Sequence, residues 1–164
     1  MGLFPPDIEE TASKLIADFA ANGLMVVTAE SCTGGLIAGA LTDIAGSSAV
    51  VDRGLVTYTN EAKAEILGVS TETLKSYGAV SRQTAIEMAT GALKASRAQV
   101  SVAVTGIAGP GGGSIEKPVG LVHLAASNRD GKTLHREMRY GDIGRNNVRL
   151  ATLRTALEML REIA

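Results

Sequence analysis

The chain of 164 residues has one cysteine, no tryptophan, two histidines and an aromatic content of 3%. A lone cysteine, Cys32, cannot close an internal disulfide, and this fits a reducing cytoplasm as the working compartment. His123 and His135 stand at unrelated positions and with Cys32 make no metal-ligand cluster, so no metal is expected. Few aromatics mean an aliphatic core that must pack tightly. No apolar run approaches a membrane span, and the first residues lack the pattern of a signal peptide, so no membrane partner is expected. Lys and Arg number 16 against 17 Asp and Glu, a formal net charge of −1, so there is no overall basic field to draw in nucleic acid.

What the chain does have is ordinary globular material, 45% hydrophobic and 20% charged. Its length suits one domain over residues 1–164 with a sizeable core, and there is no repeat, low-complexity tract or interdomain linker. Nineteen glycines are many, and they gather in loops.

Pro5-Pro6-Asp7 opens a first helix in which Ile8, Ala12, Leu15 and Phe19 keep helical spacing, closed by Asn22-Gly23. Leu24 to Thr28 predicts a buried strand, and a second helix follows Ser31 to about Asp43. A second strand is expected from Val50 to Thr59, then a short helix from Glu61 to Leu67 capped by Asn60 and closed by Gly68. Ser70 caps another helix that ends before Gly78, and Ser81 starts a longer one with Ile86, Ala89 and Leu93 on its apolar stripe. Val100 to Thr105 reads as a strand buried on both faces, and Val119 to Ala126 as the next. Asn128-Arg129-Asp130-Gly131 signals a hairpin into Thr133 to Tyr140, whose alternation suits a strand near a sheet edge. The last helix runs from Arg145 to Glu162 with Leu150, Leu153, Leu157 and Leu160 on one stripe. This order predicts a three-layer α/β/α fold with a mixed, mostly parallel sheet and a C-terminal antiparallel hairpin. If the strands ending near Ala29, Thr59 and Thr105 point one way and Val119 to Ala126 returns antiparallel to them, the loops after Ala29, Thr59, Thr105 and Tyr140 share one face.

Ala29-Glu30-Ser31-Cys32-Thr33-Gly34-Gly35 links the first strand to the second helix, where open α/β sheets bind ligands. A helix N-terminus there would suit an anion or a developing oxyanion. A serine in such a place is ordinarily only an N-cap, but Gly34 and Gly35 let a ligand or another backbone come close, and Ser31 is our lead candidate for a nucleophile. Cys32 is its rival, since sulfur is the better nucleophile and a helix N-terminus lowers a thiol pKa; the plainer reading turns it inward as a small apolar residue. The residues alone leave both open. A serine needs a base, and neither histidine is well placed to be one. Lys63 is, because a cation in the first turn of a helix opposes the dipole, which favours the neutral amine, and Ser-Lys pairs are an alternative to Ser-His-Asp. A solvated lysine paired with Glu61 or Glu65 is the commoner fate. Tyr58 could relay a proton or hold the lysine, or could simply bury its ring with a wet tip.

Gly106-Ile107-Ala108-Gly109-Pro110-Gly111-Gly112-Gly113-Ser114 could form an anion nest. It is neither a Walker loop nor a dinucleotide fingerprint, and a long flexible connection is the plain alternative. Thr105 could hydrogen-bond a ligand or merely cap its strand. Arg145, after Gly141-Asp142-Ile143-Gly144, is a candidate clamp for phosphate or carboxylate, or a surface partner of Asp142. Ser47 and Ser48 are weaker candidates of the same kind.

At these residues the chain resembles the CinA C-terminal domain family, whose characterised members are nicotinamide-nucleotide amidases. The matching stretches are Ala29 to Gly35, Gly54-Leu55-Val56-Thr57-Tyr58-Thr59-Asn60-Glu61-Ala62-Lys63, Gly78-Ala79-Val80-Ser81, Val104 to Gly113, Glu116-Lys117-Pro118-Val119-Gly120 and Gly141-Asp142. The resemblance covers nearly the whole chain. It implies a stand-alone amidase domain, without the additional N-terminal domain of longer CinA proteins, acting in pyridine nucleotide salvage. The implied reaction hydrolyses the carboxamide of nicotinamide mononucleotide to nicotinate mononucleotide and ammonia, without a cofactor. It favours Ser31 over Cys32 as nucleophile, with Lys63 and Tyr58 activating it through a serine acyl-enzyme. The implied substrate-binding set is Thr33, Gly34, Ser48, Thr105, Gly109, Gly112 and Arg145. The partner expected is therefore a small-molecule nucleotide, and exposed helix faces in a domain this small lead us to expect a homo-oligomer such as a dimer. Two other readings stay open: a non-catalytic nucleotide-binding module and a thiol hydrolase using Cys32.

Overall fold

Residues 2–164 are described by a computed structural model. Along them run helix α1 (Pro6–Ala21), strand β1 (Val26–Glu30), helix α2 (Leu36–Thr42), a 3-10 turn (Ser47–Ala49), strand β2 (Val51–Val56) and helices α3 (Asn60–Leu67), α4 (Thr71–Tyr77) and α5 (Arg82–Lys94). Strands β3 (Val100–Gly106), β4 (Leu121–Asn128) and β5 (Thr133–Arg139) and helix α6 (Arg145–Ile163) follow. The strand order is β2-β1-β3-β4-β5. β1 pairs parallel with both β2 and β3, whereas β3 with β4 and β4 with β5 are antiparallel. Four strands therefore run one way and β4 alone runs back. The loops after β1, β2, β3 and β5 leave from one end of the sheet, as the hairpin argument required.

Strand periodicity divides the interior in two. On one face Val26, Val100, Val102, Val104, Val122, Leu124 and Ala126 meet α1, α2 and α6 through Leu15, Phe19, Ile37, Leu41, Leu153, Leu157 and Leu160. On the other, Val27, Ala29, Ala103 and Ala125 meet Ala85, Met88, Ala89 and Ala92 of α5 and Leu67 of α3. The second face is built of small residues, so α5 lies close to the sheet, and the Ser101 hydroxyl donates to the Ala89 carbonyl at 2.8 Å. Both cores are aliphatic, with Phe19 the one buried aromatic among the described residues.

Three local expectations need correction. β1 begins two residues later than Leu24 and extends to Glu30, because its pairing with β3 runs on to Val104. Ser31 does not cap α2: the helix starts only at Leu36, and its N-cap is Gly35 at φ 103°, a left-handed conformation that suits glycine. The cap of α3 is Thr59, whose hydroxyl accepts the Ala62 N–H at 3.0 Å, and Asn60 is already helical.

Candidate active site

Ser31, Cys32, Tyr58, Lys63, Thr105, Gly109, Gly112 and Arg145 line one cavity of about 280 Å³ at the end of the sheet where the four loops gather. Its centre is the contact between Lys63 and Ser31. Lys63 is 1% exposed, and its Nζ lies 3.1 Å from Ser31 Oγ, 3.0 Å from the Thr57 carbonyl oxygen and 3.2 Å from that of Tyr58. A neutral amine has two hydrogens and one lone pair. In the neutral form the two carbonyls can take the hydrogens and leave the lone pair for the Ser31 hydroxyl proton, whereas the ammonium would donate to all three oxygens. Lys63 forms no ion pair among the described residues, and burial pushes its pKa below the ordinary lysine value. The surface pairing with Glu61 or Glu65 is therefore not what the fold builds.

Two residues that the sequence did not single out hold the Ser31 turn. Glu30 is fully buried, yet its carboxylate accepts hydrogen bonds from the Thr33 hydroxyl (2.6 Å), the Ile37 N–H (2.9 Å), the Ala38 N–H (3.0 Å) and the Thr28 hydroxyl (3.3 Å). It thus caps α2 from outside the helix. The first-turn amides expected to greet an anion are already occupied, and the Cys32 and Thr33 N–H groups, which precede the helix, donate to no atom among the described residues. Arg149, one turn along α6 from Arg145, donates from Nε to the Cys32 carbonyl and from Nη2 to the Thr33 carbonyl, both at 3.1 Å. A charged residue inside an otherwise apolar strand was the available signal for Glu30. Arg149 left none, because its partners are main-chain atoms more than a hundred residues away.

Cys32 is 6% exposed and belongs to the core shared with α6, where burial raises its thiol pKa from 9.0 to about 11. The helix-terminus argument for an acidic thiol fails here because α2 starts four residues later and its amides face Glu30. Tyr58 is 57% exposed, so its ring is not buried. It holds Lys63 through its carbonyl, not its hydroxyl, and the hydroxyl accepts from Arg145 Nη2 at 3.1 Å. Arg145 also donates from Nη1 to the Gly109 carbonyl at 2.7 Å, so one guanidinium ties the glycine-rich loop to the link between β2 and α3 that carries Tyr58, with no ion pair to Asp142.

Thr105 is 1% exposed and spends its hydroxyl proton on the Ala79 carbonyl at 2.8 Å, which ties the floor of the cavity to the loop before α5. The glycine-rich loop is anchored at both ends, by the Ile107 N–H on the Leu121 carbonyl and the Ser114 N–H on the Lys117 carbonyl, so it is not a loose connection. Between these anchors the Gly111 and Gly112 amides, which line the cavity, donate to no atom among the described residues.

Three members of the expected substrate set stand apart. Thr33 is fully buried with its hydroxyl on Glu30, because the turn directs it into the sheet. Gly34 is exposed beside Arg149, outside the cavity lining. Ser48 sits in the 3-10 turn that leads into β2, at the opposite end of the sheet, since Val51 pairs with the first residue of β1. The histidines are also outside the cavity: His123 Nδ1 and His135 Nε2 are 2.9 Å apart with stacked rings, and burial lowers both pKa values. No helix among the described residues is long and apolar enough to cross a membrane.

A nicotinamide-nucleotide amidohydrolase PncC of Enterobacter agglomerans is 54% identical over 155 residues, covering 92% of this chain and 93% of that one. A longer relative from Acetivibrio thermocellus, a competence-damage inducible protein by name, is 50% identical over 155 residues that make up 94% of this chain. This chain spans only 36% of the length of that relative. A solved structure, the competence/damage inducible protein CihA from Agrobacterium tumefaciens, superposes with a TM-score of 0.98 at 73% identity over 99% of both chains. The CinA C-terminal domain matches residues 8–164, from the first turn of α1 to the end of α6, and the chain belongs to that family.

Proposed function

We propose that this protein is a nicotinamide-nucleotide amidohydrolase that converts nicotinamide mononucleotide to nicotinate mononucleotide and ammonia through a serine acyl-enzyme. The observation that carries the reading is the buried Lys63, without an ion pair among the described residues, whose Nζ lies 3.1 Å from Ser31 Oγ. The relative from Enterobacter agglomerans, matched along almost its whole length, supplies the substrate class.

In this scheme Ser31 Oγ attacks the carboxamide carbon while its proton passes to Lys63 Nζ. The carbonyl oxygen becomes an oxyanion, met by the free amides that follow Ser31. The tetrahedral adduct collapses by breaking the C–N bond, and the proton on Lys63 leaves with the nitrogen as ammonia. Water then attacks the acyl ester, Lys63 again takes the proton, and the nicotinate carboxylate departs as Ser31 regains its hydrogen. Arg145, Tyr58 and the Gly111 and Gly112 amides would hold the ribose and phosphate, Arg145 as the cation and the amides as an anion nest. No step requires a metal or cofactor. The working place is the cytoplasm, in pyridine nucleotide salvage.

Ammonia release from nicotinamide mononucleotide, with a chelator present, is the test for wild type, Ser31→Ala, Lys63→Ala and Cys32→Ala. Release by wild type and Cys32→Ala alone is the expected pattern. Activity in Ser31→Ala with loss in Cys32→Ala would transfer the chemistry to the thiol. Nucleotide binding without release by wild type would make the protein a binding module.

A further inference from the structure

We infer that Arg149 is a positioning residue that fixes the oxyanion-binding amide of the Ser31 turn; this inference rests on the amidase reading above. Its Nε and Nη2 grip two consecutive carbonyls, those of Cys32 and Thr33, each at 3.1 Å. A planar trans peptide directs its N–H opposite to its C=O, and the only cis peptide bond among the described residues lies elsewhere, at Gly109-Pro110. With the Cys32 carbonyl turned toward α6, the Thr33 N–H is turned away from it. The core against α6 and the core that includes α3 lie on opposite faces of the sheet, and α3 brings Lys63. The Thr33 N–H therefore points away from the Arg149 guanidinium, in the turn that places Ser31 against Lys63. The next amide, of Gly34, is used within the turn on the Ser31 carbonyl at 3.0 Å, while that of Thr33 donates to nothing among the described residues.

Without Arg149 the Cys32–Thr33 peptide has no other hydrogen bond among the described residues to hold its carbonyl outward. Gly34 and Gly35, both at positive φ, follow immediately and allow the segment to rotate. A flipped peptide would present a carbonyl where the oxyanion needs a donor. Glu30 fixes the neighbouring Thr33 side chain and the start of α2 but touches neither of these carbonyls. Orientation of the peptide thus falls to the guanidinium, whose planar fork suits two adjacent acceptors better than an ammonium does.

The test compares kcat and KM for nicotinamide mononucleotide in wild type, Arg149→Met and Arg149→Lys, each corrected for its folded fraction by thermal melting. Arg154→Met is the control, since Arg154 lies on the same helix and pairs at the surface with Asp7. Loss of one oxyanion donor lowers kcat by about 100- to 1,000-fold in related chemistry. A mispositioned donor should cost part of that, so kcat of Arg149→Met is expected to fall by roughly 10- to 100-fold with KM within about threefold. Arg149→Lys should recover part of the loss, and Arg154→Met should match wild type. If Arg149→Met does not fold, a fall of roughly three- to tenfold in kcat of Arg149→Lys at unchanged KM supports the inference. Wild-type kcat in whichever variant folds, a loss confined to KM, or an equal loss in Arg154→Met overturns it. Absence of turnover by the wild type removes the amidase reading and this inference together, whereas turnover by wild type with an unaffected Arg149→Met removes the inference alone.

Discussion

Lys63 decides the chemistry by what it lacks. Buried beside two carbonyls and a hydroxyl, it has no ion-pair partner among the described residues, and burial disfavours its charged form. Its lowered pKa gives the pH profile a definite sign: the neutral base grows as pH rises, so kcat/KM should climb through the depressed Lys63 pKa and level off above it. A profile that falls over that range would exclude Lys63 as the base. Lys63→Met should lower kcat by roughly 100- to 10,000-fold, the usual share of a general base, in a single-turnover or steady-state assay. Cys32 makes the opposite case. With a pKa of about 11 it is thiolate in only about one molecule in a thousand at pH 8, so native protein should react with iodoacetamide far more slowly than unfolded protein. Lys63 was legible in the sequence because a cation in the first turn of a helix is out of place. The partners of its amine were not, because they are the carbonyls of Thr57 and Tyr58, which every sequence has.

At the scale of elements, the site depends on how two short helices are held. α2 has no side-chain cap of its own and borrows the Glu30 carboxylate. Glu30→Ala would leave the Ile37 and Ala38 amides and the Thr33 hydroxyl without an acceptor, and a loss of about 2–4 kcal/mol is expected in urea unfolding. α3 lies so close to α5 that a Cβ on Gly91 would meet the Leu67 carbonyl oxygen at 1.9 Å. Helix propensity alone favours alanine there by about 1 kcal/mol, but the clash is with backbone and must displace α3. Gly91→Ala should therefore destabilise by about 1–3 kcal/mol and lower kcat as well, since α3 carries Lys63. Element types and order were read correctly from periodicity, and the serine caps of α4 and α5 from Ser70 and Ser81. The starts of α2 and α3 were not. For α2 the determining contact comes from Glu30, seven and eight residues before the amides it caps. For α3, Thr59 and Asn60 are both good caps, and only backbone geometry chooses between them.

Over the whole molecule, direction matters more than composition. With β4 alone reversed, four loops leave from one end of the sheet, and these carry Ser31, Tyr58 with Lys63, the glycine-rich segment and Arg145. That convergence was expected from one hairpin signal on the condition that the strand after the glycine-rich segment returns antiparallel, and β4 does pair antiparallel with β3. The stray position of Ser48 came from counting it with the loops by chemistry, although it precedes β2 where its companions follow their strands. Ligand linkage offers a test at this scale: Ser31→Ala protein at about 100 times the Kd for nicotinamide mononucleotide should gain about 2.7 kcal/mol. Its melting temperature should rise by roughly 5–10 °C. An unchanged melting temperature would mean that the cavity does not take this nucleotide.

The proposed nucleophile and its proposed base belong to different layers. Cys32, beside Ser31, is part of the core under α6, and Leu67, one turn past Lys63, is part of the core under α5. A half-assembled chain can have either group but not their contact. The first ammonia released during refolding would therefore time the moment at which both sides of the sheet are clothed.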